Sequence, residues 1–310
     1  MVGAGHRSPE APGPGLSDLL ARCRFPEEGA PLTCAVSGGA DSLALLVLAV
    51  SAGCRVTAVH VDHGLRPDSA SEAEVVASAA ARFGAGFRPE RVEVGPGPNL
   101  EARARDARRA ILPPGTATGH TADDQAETML LNLVRGAGRD GLAGMRPGTT
   151  KPLLELRRSE THALCAELGL EPVVDQSNLD PSFRRNRVRH ELLPLLESIA
   201  QRDVVPVLTR QAGLLRDEAE VLDGLAASLD IHDGSALAAA PPAVARRAVR
   251  RLVRAVPPDD CSDDGSGVHP PSAAAVERIL RVARKQAVAC EVPGGMRVRR
   301  SGGRLYVERG

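Results

Sequence analysis

Two serines, two glycines and a carboxylate fall within six residues, Ser37-Gly38-Gly39-Ala40-Asp41-Ser42. The run lies between an apolar stretch, Leu32 to Val36, and a helix-forming stretch, Leu43 to Ala52. That order predicts a buried strand, a tight glycine turn and a helix start. Such a turn aims several backbone N–H groups into one cavity, at the positive end of a helix dipole. Glycine lets the backbone approach an anion with no Cβ in the way, and Ser37 and Ser42 add hydroxyls. The guest this suits is a phosphate. A Walker A loop is excluded, because G-x-x-x-x-G-K-[ST] occurs nowhere in the chain. The Asp41 carboxylate would repel a phosphate unless a cation stood between them, so the turn implies Mg²⁺.

A second set is carried by Gly119-His120-Thr121-Ala122-Asp123-Asp124-Gln125-Ala126-Glu127-Thr128. Thr121 is a good helix N-cap, and Thr121 with Asp124 approximates a capping box. Asp123, Asp124 and Glu127 share the first turns of one helix face. Complementing the helix dipole needs fewer acids than these, and His120 stands at the strand end before them. An acidic pocket suits Mg²⁺, with Asp41 and Asp124 as its carboxylates, or a cationic substrate. In His60-Val61-Asp62-His63-Gly64-Leu65-Arg66, His60 and Asp62 share one strand face. With His120 and Asp123 they would also make a dinuclear metal site, so an ATP-independent, metal-dependent phosphodiesterase is the main rival from another mechanism. The preceding phosphate turn counts against it, since a metal site needs none.

Gly136-Ala137-Gly138-Arg139-Asp140-Gly141 matches the dinucleotide pattern G-x-G-x-x-G. It follows a helix and not a strand, so it reads as a loop that closes over substrate. Arg184, Arg185, Arg187 and Arg189 form a dense basic helix start, with Arg185 and Arg189 one turn apart. That spacing suits nucleic-acid phosphates, although charge runs are most often solvated faces. Arg246, Arg247, Arg250, Arg251 and Arg254 form a second stripe, and Arg297, Arg299, Arg300 and Arg304 a third. Local basic clusters on a chain of zero formal net charge suit a protein that grips folded RNA on one side. The 2% aromatic content argues against single-strand stacking modules.

These groups need a scaffold. Strands are expected at Leu32–Val36, Arg55–Asp62, Phe87–Val94 and Thr116–Gly119. Helices are expected at Asp41–Ala52, Ser69–Phe83, Leu100–Leu112 and Ala122–Arg135. Alternation of this kind means α/β architecture, a doubly wound parallel sheet with ligands at the carboxyl ends of its strands. Ser37, His63 and Gly119 would then line one edge. Residues 186–230 read as mostly helical, with Leu208, Leu214, Leu215, Val221 and Leu222 as one apolar stripe. Residues 257–271 read as a loop, Ser272–Ala287 as a helix, and Glu291–Glu308 as a small meander. The expected organisation is a disordered tail at 1–15, a catalytic domain at 16–200, a helical linker at 201–230 and a small α+β C-terminal domain at 231–310.

At 310 residues and 43% apolar content the chain can bury a real core, built from Leu, Val and Ala because there is no Trp. The cysteines follow no C-x-x-C pattern, so they read as reduced residues of a cytoplasmic protein. The longest uncharged apolar run, Leu43 to Cys54, is too short to span a bilayer, and residues 1–15 lack the apolar core of a signal peptide.

The hexapeptide at Ser37 resembles the pyrophosphate loop, S-G-G-x-D-S, of PP-loop ATP pyrophosphatases, whose fold is that of the adenine nucleotide alpha hydrolases. The ordered set SGGADS, HVDHGLR, NLEARARDARR, GHTADDQAET, LVRGAGRDGLAGM, KPLLELRR, DQSNLD and RRNRVRHELLPLL resembles the tRNA(Ile)-lysidine synthetase family over Leu32 to Leu196. Lys151 stands where arginine is common there, Ala110 where an aromatic is usual, and the C-terminal part matches loosely. The resemblance implies that ATP adenylates the C2 oxygen of the wobble cytidine in the isoleucine tRNA with a CAU anticodon. Free L-lysine then attacks C2 and expels AMP, leaving lysidine. It implies that Ser37, Gly38, Gly39, Ala40, Asp41, Ser42 and His60 hold ATP. Asp41 would bind Mg²⁺ or the attacking amine, and Asp123, Asp124 and Glu127 the lysine or the metal. His120 or a carboxylate would take the amine's proton. Arg103, Arg105, Arg108, Arg109 or Arg135 would neutralise pyrophosphate, and Arg184, Arg185, Arg187, Arg189, Arg247 and Arg251 would contact tRNA. A tRNA-thiolating pyrophosphatase is the rival within the fold, disfavoured because cysteine pairs are missing. A non-enzymatic nucleotide-binding module is a third reading. The choice between monomer and homodimer stays open.

Overall fold

The computed structural model describes residues 15–62, 69–92, 103, 107, 110–174, 176–255, 271–292 and 295–309. His63, Gly64, Leu65, Arg66, Arg105, Arg108, Arg109, Asp175, the 1–14 tail and most of the 257–271 loop lie outside them, as does most of the expected Leu100–Leu112 helix. The chain divides into two compact units, Met1–Gly213 and Leu214–Gly310.

In the first unit, α1 (Leu16–Ala21) precedes β1 (Pro31–Ala35), α2 (Ala40–Ser51), β2 (Arg55–Asp62), α3 (Ser69–Phe83), β3 (Gly86–Arg91), β4 (Ala117–Thr118) and α4 (Ala122–Val134). The strands form a parallel sheet in the order β3-β2-β1-β4. Pro31 to Ala35 pair with Arg55 to Val59, Thr57 to Asp62 with Gly86 to Arg91, and Cys34 and Ala35 with Ala117 and Thr118. The strand order reverses beside β1, so the turn after β1 opens at the topological switch point where such sheets take ligands. β4 is shorter than the sequence predicts because the chain leaves the sheet at Gly119 to enter the N-cap of α4.

The core sits around α2. Leu43, Leu45, Leu46 and Leu48 are each 0% exposed, so the middle of this helix is apolar and buried on every side. α6 (Arg158–Glu167) packs on it through Leu164 and Cys165, preceded in the chain by the short α5 (Arg139–Leu142). Burial pushes the Cys34 thiol up to about 12 and the Cys165 thiol up to about 11, which keeps both inert as nucleophiles.

A 3₁₀ turn (Gln176–Leu179), α7 (Arg184–Arg187), a π-helical turn (Val188–Leu192) and α8 (Leu193–Ala200) follow. The unit boundary falls inside α9 (Val205–Ala227). The expected apolar stripe of this helix is only partly buried. Leu214 and Val221 are exposed, while Val205, Ala212, Ala219 and Ala226, spaced every seventh residue, are the buried positions. The sequence pattern picked out large side chains, whereas beyond Val205 the inward row is of alanines.

The second unit packs α10 (Gly234–Ala239), α11 (Pro242–Arg254) and α12 (Ala273–Ala283) with an antiparallel sheet of β5 (Ala289–Val292), β6 (Met296–Ser301) and β7 (Arg304–Arg309). Gly302 and Gly303 close the β6–β7 hairpin with φ of 56° and 85°, the left-handed pair that a tight hairpin turn demands. No helix among the described residues is long and apolar enough to cross a membrane.

Candidate active site

The chain leaves β1 through Val36 and Ser37, turns at Gly38 with φ of +90°, and enters α2 at Ala40. Only glycine adopts that φ without strain. Ser42 Oγ accepts from the Ser37 N–H at 3.1 Å and donates to the Gly39 carbonyl at 2.8 Å, so one hydroxyl ties both ends of the turn. The N–H groups of Gly38, Gly39, Ala40 and Asp41 have no acceptor among the described residues. Convergent unpaired N–H groups at a helix start are an anion cradle. They fit the phosphates expected there.

β2 buttresses this turn. His60, 2% exposed, donates from Nδ1 to the Val36 carbonyl at 3.0 Å. A carbonyl only accepts, so Nδ1 is the donor, and Nε2 is buried without a partner among the described residues. From the other side, Gly119 lies so close that a Cβ there would sit 2.5 Å from the Asp41 carbonyl oxygen and 3.1 Å from Ser42 N. Gly119→Ala must therefore move backbone at the turn. We expect lower thermal stability and about tenfold weaker binding of ATP, the expected guest. Unchanged ATP affinity by calorimetry would contradict this tight coupling of sheet edge and turn.

Beyond the turn, the expected acidic pocket is a mixed network. The Thr121 N–H donates to Asp124 Oδ2 at 2.8 Å and the Thr121 hydroxyl to the same oxygen at 3.0 Å, making the cap. Arg158 reaches three carboxylates at once: Nε to Asp41 at 3.5 Å, Nη2 to Asp124 at 3.0 Å and Nη1 to Glu127 at 3.1 Å. Arg185 bonds Glu127 at 2.7 Å and Asp124 at 2.9 Å, and Arg189 bonds Glu127 at 2.7 Å. Arg157 grips Asp123 with two bonds of 3.1 Å and also pairs with Asp203, while the Arg158 N–H donates to Asp123 at 2.7 Å. The Thr161 hydroxyl donates to Asp41. The first turn of α6 thus joins the first turns of α2 and α4.

The electrostatics follow. Burial lifts the Asp41 carboxyl above its ordinary value, against the opposing pull of Thr161 and Arg158. Burial would also raise Asp123, but hydrogen bonds from Arg157 and the Arg158 N–H outweigh it, and its carboxyl lies below the ordinary value. Asp124 is lowered likewise, burial being overcome by the charges of Arg158 and Arg185. The unfolded chain therefore binds more protons than the folded one just below the unfolded value of about 3.9. The stability these two aspartates contribute is present above that value and lost as pH falls through their folded values. Thermal midpoints should drop steeply below about pH 4, and Asp123→Asn should make the drop shallower. Parallel profiles for both proteins would contradict the network's role.

A cleft of about 870 Å³ opens over these elements. Ser37, Gly39, Ala40, Asp41, Ser42, His60, His120, Asp124 and Arg189 line it. Gly38 faces Val173, where a Cβ would meet a methyl carbon at 3.1 Å. Asp123 and Glu127 lie behind the wall, held by arginines. Arg135 caps the far end of α4, about 20 Å along the helix from Thr121. Of the basic helix start, Arg184 and Arg187 are exposed, whereas Arg185 and Arg189 turn inward onto the acids. Arg247 pairs with Asp223 and Arg251 is exposed on α11, both in the second unit. The expected closing loop at Gly136–Gly141 contains the start of α5, and the Asn132 amide donates to its Gly141 carbonyl at 2.7 Å. Sequence reasoning missed Arg157, Arg158 and Thr161, and the Thr118 hydroxyl that contacts His120 Nδ1 at 2.8 Å and accepts from Lys151 at 2.6 Å. An adjacent arginine pair before S-E-T, far in sequence from three unmatched acids, was the available signal.

Asp41 fits Mg²⁺, which commonly takes one or two carboxylates together with substrate phosphates. Asp124 does not, because both its oxygens are committed to the cap and to arginines that would repel a cation.

The open turn, the switch-point cleft and the parallel sheet define a PP-loop nucleotide-binding protein. The family model described as the PP-loop domain matches residues 17–196. The chain is 46% identical over 232 residues to the tRNA(Ile)-lysidine synthase of Nocardia farcinica, covering 70% of this chain and 73% of that one. It is 37% identical over 305 residues to the enzyme of that name from Thermobifida fusca, covering 90% and 92%. The chain belongs to the tRNA(Ile)-lysidine synthase family. A solved structure, the U34-tRNA thiolase NcsA from Methanococcus maripaludis, matches with a TM-score of 0.52 at 17% identity over 65% of this chain and 78% of that one, a likeness of fold alone.

Proposed function

We propose that this chain is a ligase that activates the wobble cytidine of the CAU-anticodon isoleucine tRNA with ATP and joins L-lysine to it. The observation that carries the reading is that Gly39, Ala40 and Asp41, whose N–H groups have no acceptor among the described residues, line one cleft with the Asp41 carboxylate. The cradle would hold the ATP phosphates while the cytidine O2 attacks the α-phosphorus and pyrophosphate leaves. The side-chain amine of lysine then attacks C2, AMP departs with the oxygen, and the amine loses a proton. Mg²⁺, bound at Asp41, would screen the phosphate charge.

The amine is a nucleophile only when neutral. With an ordinary value of about 10.4, roughly one molecule in 2,500 is neutral at pH 7, a handicap of about 4.6 kcal/mol. His120, oriented by Thr118, lines the cleft and is the group to remove the proton while Mg²⁺ occupies Asp41; Asp41 takes that part only where the metal does not hold it. Glu127 and Asp123 act through the arginines they hold, orienting Arg158 and with it Asp41. Exposed Arg184, Arg187 and Arg251 remain the tRNA-facing cations of this reading.

Among the described residues no cysteine lines the cleft, which disfavours the thiolase reading. Among the described residues no three His, Cys, Asp or Glu side chains converge as a metal site, which disfavours the phosphodiesterase. Incubation with ATP, Mg²⁺, labelled lysine and the tRNA transcript should put label in the tRNA only when ATP is present. Label without ATP, or none with it, contradicts the proposal.

A further inference from the structure

The cleft is polar at the turn, but Pro172, Val173, Val174 and Leu179 make another part of its wall apolar, with Asn178 among them. Val174 is 78% exposed and Leu179 64%. These side chains stay in contact with water inside a charged cleft and contribute nothing to the core. One hydrogen bond anchors the shelf at Val173 and another at Asn178. The Val173 N–H donates to the Gly38 carbonyl at 3.0 Å, and His190 Nε2 donates to the Asn178 carbonyl at 3.1 Å. An apolar surface tethered to the phosphate turn meets whatever lies next to the phosphates.

We propose that Val174, Asn178 and Leu179 seat the cytosine base that is modified. The inference rests on the ATP-dependent reading above. There, the cytidine O2 must come into contact with the α-phosphorus, so its base must lie beside the turn, where the Val173–Gly38 bond holds this shelf. A base lifted from a loop needs an apolar face to lie on, and proteins usually supply an aromatic ring. This chain has no Trp and one Tyr, and neither Phe nor Tyr lines the cleft. Aliphatic side chains take that place. The Asn178 amide offers an acceptor to the 4-amino group and a donor to N3, the complement of the cytosine edge, and leaves O2 unbonded for attack.

The rival occupant is the adenine of ATP, and the two are separable in the full-length chain. Val174→Ser with Leu179→Ser changes only exposed side chains, so folding should hold, as a thermal melt would check. With ATP and lysine saturating, kcat/KM for tRNA should fall about 10- to 100-fold, the value of losing that apolar contact. The Kd for ATP, by calorimetry, should stay within about twofold. Asn178→Leu should lower kcat and leave the tRNA Kd unchanged. Parallel loss of ATP affinity would make the shelf an adenine seat and overturn the proposal. Unchanged kinetics would make it bare surface and overturn it equally. A wild-type protein that forms no lysidine would instead remove the reaction on which the inference rests.

Discussion

Asp41→Ala should abolish tRNA modification, by about a thousandfold or more in kcat, while the Kd for tRNA changes little. Asp41 is the one carboxylate of the network that is both in the cleft and left with unused lone pairs. One oxygen accepts from the Thr161 hydroxyl and the other faces Arg158 at 3.5 Å, longer than the arginine's bonds to Asp124 and Glu127. Burial holds its carboxyl above the ordinary value, so it is a better proton acceptor than a surface aspartate. Alanine removes that charge without stranding Arg158, which keeps two acidic partners. The fold and the tRNA contacts proposed for Arg184, Arg187 and Arg251 should therefore survive. Single-turnover kinetics with filter binding on the same variant make the comparison, and equal loss of both would make Asp41 a structural residue.

Glu127→Ala should have the opposite profile, a large loss of stability. Glu127 is 0% exposed and accepts from Arg158, Arg185 and Arg189. Removing it leaves those guanidiniums competing for Asp124, with desolvation already incurred. Breaking a buried pair this way costs about 3–5 kcal/mol, and the lower figure is apt because the arginines are about one-quarter exposed. At roughly 2–4 °C per kcal/mol for a unit of this size, the melting point should fall by about 6–12 °C. Glu127→Gln should recover part of the loss, since its amide oxygen still accepts. A melt within about 1 °C of wild type would mean that the arginines find other partners.

The turn and the acidic helix were legible because local spacing encodes them. S-G-G-A-D-S announces a strand, a left-handed glycine and a helix start, and T-A-D-D announces a cap. The arginines that neutralise the acids were not legible in that way. Arg158 lies 31 to 35 residues from Asp123, Asp124 and Glu127, and 117 from Asp41, and no periodicity links positions that only the packing of α6 on α2 brings together. Arg185 and Arg189 were read as an outward basic face from spacing alone, yet that spacing equally lets two guanidiniums reach one buried glutamate. Arg135 could have been set apart from the cleft in advance, since a helix of α4's length carries its last residue well away from its first.

In the proposed reaction the cytidine O2 becomes the oxygen bridging to AMP. This is tested most directly with tRNA carrying ¹⁸O at C2 of the wobble cytidine, incubated with ATP, Mg²⁺ and lysine, and mass spectrometry of the products. One ¹⁸O should appear in each AMP released and none in pyrophosphate or in the modified tRNA. Unlabelled AMP, with ¹⁸O retained in the tRNA, would contradict it.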